Sequence, residues 1–336
     1  MLRKISIFEK QIQNMKKIII AAMAFLMSAG ISPCAPKQEI TLLYWNIQNG
    51  MWADQGNNYD NFVEYVKSVN PDICVWCEAK THYKTDSYEV LKPTDDLYLP
   101  AHWHEVAARY GHDYVYVGGE RDFFPQVITS RFPIENKGRF VGDDDVIVTH
   151  GAGWAVIDVN GKKINVVTGH TWPMRFGFGV DRNDKEAAEA SAAKNEGHLC
   201  RAKEVQWVCE HTILTDKHQN RHYWMMLGDM NSRSRLDAAN YQYAPDSPVY
   251  WAQDYMNTKT PYIDAVHRFH NGEFRKSHAN GHRIDYIYTN RKLYNTLEYI
   301  DIITEGYPEN SRQAFPDKNG FYIPSDHYPI IARFKL

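Results

Sequence analysis

Asn160-Gly161 lies between two β-branched runs, Ala155-Val156-Ile157-Asp158-Val159 and Ile164-Asn165-Val166-Val167-Thr168. Asn and Gly both tolerate the positive φ angles of a two-residue turn whose twist matches that of paired strands, so this is the strongest hairpin signal in the chain. A hairpin forces its strands to be antiparallel. Yet the chain opens as strand, helix, strand. Glu39–Ile47 is an apolar and aromatic strand ended by Gly50. Tyr59, Phe62, Val63 and Val66 recur at near-helical spacing, Asn70-Pro71-Asp72 breaks that helix, and Ile73–Cys77 reads as a second buried strand. A strand–helix–strand unit is an α/β signature. Hairpin and unit together point to mixed sheets rather than an all-parallel Rossmann-type sheet.

Further strands are expected at Tyr114–Val117, Gln126–Thr129, Tyr223–Leu227, Arg283–Tyr288 and Tyr328–Phe334. Residues 172–184 form a Gly- and Phe-rich loop, and the spacing predicts one helix from Asp184 to Thr215. Residues 232–261 read as surface loops with short helices, and 306–326 as a loop rich in Pro, Gly and Asn. No repeat, linker or low-complexity tract divides the chain, so residues 39–336 are expected to be one catalytic domain.

The first 35 residues read differently. Lys16-Lys17 precedes the apolar run Ile18–Met27, and Ser28, Ala29 and Gly30 follow. This is the order of an export signal, too short to span a bilayer comfortably. It predicts an exported protein, periplasmic or extracellular, with no transmembrane segment in the mature chain. Cys34 offers the lesser alternative of a lipid anchor, which Pro33 directly before it disfavours. The formal net charge is −3, and the leader carries five basic residues and one acidic, so its removal leaves −7. That argues against a purely electrostatic nucleic-acid binder, though not against an enzyme that cuts nucleic acid at a local metal site. Oligomeric state is not legible in the sequence.

Five cysteines in 336 residues do not make a disulfide scaffold. Cys74 and Cys77 are spaced like a redox or zinc pair, but on a strand they would face opposite sides, so they read as core.

Five strands share one property: an acid, amide or histidine stands at or beside an end. These residues are Asn46, Glu78, His170, Asp229 with Asn231, and Asp326 with His327. Strand ends are where layered α/β folds place ligands, although any one of these residues alone would read as a turn or cap.

The motifs that carry them are Tyr44-Trp45-Asn46-Ile47-Gln48-Asn49-Gly50, Cys77-Glu78, Ser130-Arg131-Phe132-Pro133-Ile134, Thr168-Gly169-His170-Thr171, Gly228-Asp229-Met230-Asn231, Arg283-Ile284-Asp285-Tyr286 and Ser325-Asp326-His327-Tyr328-Pro329-Ile330. In this order the chain resembles the endonuclease/exonuclease/phosphatase family, which includes deoxyribonuclease I, abasic-site endonucleases, neutral sphingomyelinases and inositol polyphosphate 5-phosphatases. The resemblance implies a four-layer α-β-β-α sandwich with two mixed β-sheets, and phosphoester hydrolysis with a divalent cation, usually Mg2+, with Mn2+ as a substitute. By the same resemblance Glu78 is the principal metal ligand, with Asn46 and Asp326 beside it. Asp229 and Asn231 position the water and the phosphate. His327, oriented by Asp285, faces the scissile phosphate, and His170 is the second active-site histidine.

These roles are chemically sound. Magnesium prefers hard oxygen ligands and keeps several waters, so one or two carboxylates with amides suffice. A carboxylate beside an imidazole fixes its tautomer and raises its basicity. The proton acceptor, Asp229 or His327, stays open. Arg131 reads as a strand-closing ion-pair partner, and Asp143-Asp144-Asp145 as a solvated loop rather than a calcium site. Cys77 departs from the glutamine that the family often has before its metal glutamate. The sequence ranks a small or lipid-linked phosphoester first as substrate and extracellular nucleic acid second. A non-catalytic binding member is the third reading, disfavoured by the intact polar set.

Overall fold

The computed structural model describes residues 38–51, 54, 58–79, 102–118, 124–305 and 324–336. The leader at 1–35 and Cys34 lie outside the described residues, as does most of the loop expected at 306–326. Glu39–Leu336 form one compact unit.

In chain order the strands are β1 (Glu39–Asn46), β2 (Ile73–Cys77), β3 (Tyr114–Gly118), β4 (Gln126–Ser130), β5 (Ile134–Gly142), β6 (Ile147–Val159), β7 (Lys162–His170), β8 (Tyr223–Asp229), β9 (Tyr262–Asp264), β10 (Asp285–Asn290), β11 (Leu297–Ile302) and β12 (Ile330–Lys335). They form two six-stranded sheets, ordered β11-β12-β1-β2-β4-β3 and β5-β6-β7-β8-β10-β9. Each sheet has one parallel pair near its middle, β1 with β2 and β7 with β8. The other neighbours are antiparallel, including the β6–β7 hairpin around Asn160-Gly161. The sheets are mixed, as the hairpin and the opening unit require.

Alternation along the strands builds four layers. Leu42, Tyr44, Ile73, Val75 and Cys77 of the first sheet pack against Ala155, Ile157, Val166, Met225, Leu227 and Ile287 of the second. The opposite faces are also covered. Leu43, Trp45, Cys74 and Trp76 meet the helices Asp60–Val69 and Trp103–Arg109. Val167, Trp224 and Met226 meet the helix Glu196–His211 and Met256 of the helix Trp251–Lys259. Burial on both faces explains why the central strands are apolar at nearly every position. Cys74 and Cys77 are free thiols on opposite faces, and burial pushes both well up.

Three expectations shift. The helix expected over 184–215 is two, Lys185–Ala193 and Glu196–His211. Asn195 adopts a left-handed φ of 60° between them. A Cβ on Gly197 would lie 2.3 Å from the Met174 carbonyl oxygen, so the break lets the loop after β7 pass against the second helix. β6 starts at Ile147, not Ala155, because Thr149, His150 and Gly151 hide its alternation. β10 starts at Asp285, two residues after Arg283. The Arg283 N–H is donated to Tyr241 Oη, and its side chain is pulled toward Asp237 and Asp264. The helix Trp103–Arg109 and strands β5, β9 and β11 were not expected from the sequence.

Candidate active site

The two parallel pairs end side by side. In register, Asn46 stands opposite Cys77, and His170 opposite Asp229. A Cβ on Gly228 would lie 1.8 Å from the Gly169 carbonyl oxygen, so β7 and β8 need glycine there to approach closely just before His170 and Asp229. Glu78 follows β2 with a left-handed φ of 55°. Its Oε2 accepts from the Asn49 N–H at 3.0 Å and its Oε1 from Asn46 Nδ2 at 3.2 Å.

Asn46 is wholly buried and ties the carboxylates together. Its Nδ2 also donates to Asp229 Oδ2 at 3.1 Å, while its Oδ1 accepts from the Gln48 N–H at 3.1 Å. It therefore presents its N–H groups, rather than its oxygen, to the carboxylates. Asp229 Oδ1 accepts from the Asn231 N–H at 2.9 Å, and Asn231, with φ 45°, donates its amide to the Thr171 carbonyl at 3.0 Å.

His327 stands against Asp285, with Nδ1 2.8 Å from Oδ2. Asp285 also accepts from Tyr44 Oη and Ser277 Oγ, both at 2.7 Å, so its ring partner is held in one orientation. The other ring nitrogen of His327 lies 3.7 Å from Asp229 Oδ2. Burial works against a charged imidazole here, yet the Asp285 and Asp229 carboxylates win and hold His327 well above the usual histidine range. Burial and the charge of Asp285 push the Asp229 carboxyl up. His170, with Nε2 3.7 Å from Asp229 Oδ2, is driven well down by burial and by the neighbouring His150 and His327. Burial also acts on Asp326, but its hydrogen bond to His278 and the charge of His327 hold it low.

The predicted residues thus converge, in overlapping groups. Ligand atoms of Glu78, His170 and Asp229 lie within 4.8 Å of one another, as do those of Asp229, Asp285 and His327, and those of His278, Asp326 and His327. Asp326 is drawn toward His278 at 3.5 Å and not into the Glu78 group. The carboxylate oxygens of Glu78, Asp229 and Asp326 are the hard donors a divalent cation needs, and the imidazoles alone would not select magnesium. Tyr44, Ser277 and His278 were missed from sequence. Tyr44 was findable, since it shares a strand with Asn46 and faces the same inter-sheet layer. His278 arrives through an isolated bridge to His327, for which no periodicity exists.

Arg131 pairs with Asp72 at 3.1 Å, away from these groups. Asp143–Asp145 are exposed in the β5–β6 turn, where Asp143 accepts from the Val146 N–H. The loop at 172–184 forms one wall of a cavity of about 770 Å3 that also contains Glu78, His170, Asp229, Asn231 and His327. Trp172, Met174, Phe176, Arg175 and Arg182 come from this loop, with Arg201 and Arg233 beside it.

Many solved structures match the chain, and two of them illustrate the shared fold. An AP endonuclease from Archaeoglobus fulgidus aligns at TM-score 0.57 and 16% identity, over 88% of this chain and 100% of that one. A humanized D. rerio TDP2 carrying 14 mutations aligns at TM-score 0.50 and 14% identity, over 89% and 99%. No curated protein matches the chain by sequence. The profile of the Endonuclease/Exonuclease/phosphatase family matches residues 43–327, from the strand that carries Asn46 to His327 itself. The chain belongs to that family and is a metal-dependent hydrolase of phosphoric esters.

Proposed function

We propose that the chain is a phosphodiesterase acting on nucleic acid or nucleotide ends, with Mg2+ as the resident cation. The observation that carries this reading is the composition of the cavity lining. It joins Glu78, Asp229 and His327 to Arg175, Arg182, Arg201 and Arg233 and the rings of Trp172 and Phe176. Guanidinium groups beside aromatic faces suit a substrate that is both polyanionic and able to stack. The archaeal AP endonuclease of similar fold acts, by its name, on nucleic acid, which supports the same direction.

Glu78 and Asp326 would hold the cation, which would supply charge neutralisation at the phosphate oxygens. Asp229, pushed up by burial, takes the proton from the attacking water. His327, kept protonated by Asp285, turns its Nε2–H toward the charge that grows on the phosphate. Asn231 keeps the Asp229 carboxylate in place through its backbone N–H.

The second reading is a small or lipid-linked ester, favoured by Met174 and Val180 among the cavity's lining residues. Export of the chain, on the leader at 1–35, belongs to the same proposal. Amino-terminal sequencing of the secreted protein tests it. The substrate test is hydrolysis of plasmid DNA, bis-p-nitrophenyl phosphate and sphingomyelin with Mg2+ or EDTA. Metal-dependent cutting of DNA, lost in His327→Ala, supports the first reading. Sphingomyelin cleavage with DNA intact replaces it by the second.

A further inference from the structure

His278 reaches the site from outside the strands, in the tight turn between Ser277 and His282 that precedes β10. The N–H groups of Ser277 and His278 both donate to the His282 carbonyl, and the Gly281 N–H donates to the His278 carbonyl. The turn is stitched to the segment before β12. The Ala279 N–H donates to the Asp326 carbonyl at 2.8 Å, and the Tyr328 N–H to the Ser277 carbonyl at 2.7 Å. This antiparallel bridge sets His278 opposite His327. The two rings meet edge to face, with centroids 4.5 Å apart. His278 Nε2 lies 3.5 Å from Asp326 Oδ2, and the ring lines the cavity of the hydrolytic groups.

By distance alone, His278, Asp326 and His327 could hold a metal ion between them. The turn argues against that use of His278. The Asn280 N–H donates to His278 Nδ1 at 3.0 Å, so that nitrogen offers a lone pair and the ring proton sits on Nε2. A protonated Nε2 does not ligate a cation, but it can donate to a carboxylate. We propose that His278 is a positioning residue for Asp326: its Nε2–H engages Oδ2 and leaves Oδ1 for the divalent cation. Oδ1 lies 3.9 Å from His327 Nε2, toward the hydrolytic groups. The Asp326 side chain is 42% exposed, so its own burial does little to fix its rotamer. A ligand that must be ordered as the cation arrives binds it less well, and the stitched turn supplies that order beforehand. The proposal rests on the reading that Glu78 and Asp326 hold the cation.

The test is calorimetric titration of Mn2+ into wild type, His278→Phe and His278→Gln, with melting curves recorded for all three. Phenylalanine keeps a ring against His327 and removes the donor. Glutamine removes the ring and keeps an N–H donor. The expected result is that His278→Phe weakens Mn2+ binding by about tenfold or more, while His278→Gln stays within about threefold of wild type. Rescue by glutamine is what a merely structural role of the ring would not give. Unchanged or tighter binding in His278→Phe overturns the positioning role. Equal weakening in both variants also overturns it, since the loss then follows the ring and not the hydrogen bond. Failure of wild type to bind Mn2+ overturns instead the reading of Glu78 and Asp326 as the groups that hold the cation.

Discussion

The two sheets serve the site differently. The first presents Glu78 and Asp326 just outside its strands. Glu78 takes up a left-handed backbone after β2, and the Asp326 side chain is 42% exposed before β12. The second presents His170, Asp229 and Asp285 within its strand ends, at 3%, 2% and 0% exposure. Oxygens at an open edge retain room for a cation and its waters. Buried groups in contact shift each other's proton affinity, as Asp229, His170 and, from the loop before β12, His327 do. One fold thus separates ion holding from proton handling, and Asn46 joins the halves through hydrogen bonds to Glu78 and Asp229.

Substitutions of ion-holding and proton-handling groups should therefore fail differently. Glu78→Ala should cost about 10^3-fold or more in kcat/KM, part of it recovered by raising the Mg2+ concentration. His327→Ala should cost about 10^2–10^4-fold with no such recovery. Initial rates over a metal titration check both. Arg283→Leu leaves Asp237 and Asp264 buried without their cation, and unfolding by urea should show about 3–5 kcal/mol lost.

Glu204 gives the smallest effect, in pH. Burial raises it to about 7, above its ordinary value of 4.5. The folded state then holds the proton more tightly than the unfolded chain, so stability falls as pH rises from about 4.5 to about 7, by on the order of 3 kcal/mol at most. Glu204→Gln should flatten that slope in melting curves taken across the same window.

The α/β class, the mixed sheets and the strand-end residues were legible because each depends on local pattern: a turn dipeptide, a period of two, a polar residue where an apolar run stops. Groups supplied across the chain were not. Ser277 and His278 come from a loop that only tertiary pairing brings to Asp285 and His327. Arg201 and Glu204 lie on the buried stripe of Val205 and Val208 in their helix. Two charges on an apolar face were a signal that the helix reading passed over. The loop at 172–184 was visible as a loop, but its place as a cavity wall depends on Gly197, whose missing Cβ only the packed backbone explains.

The division of labour between ion holding and proton handling is tested most directly by calorimetric titration of Mn2+ into wild type, Glu78→Gln and His327→Ala. The account predicts that Glu78→Gln weakens binding by about tenfold or more while His327→Ala stays within about threefold of wild type. Equal weakening by both substitutions, or a larger loss in His327→Ala, would contradict it.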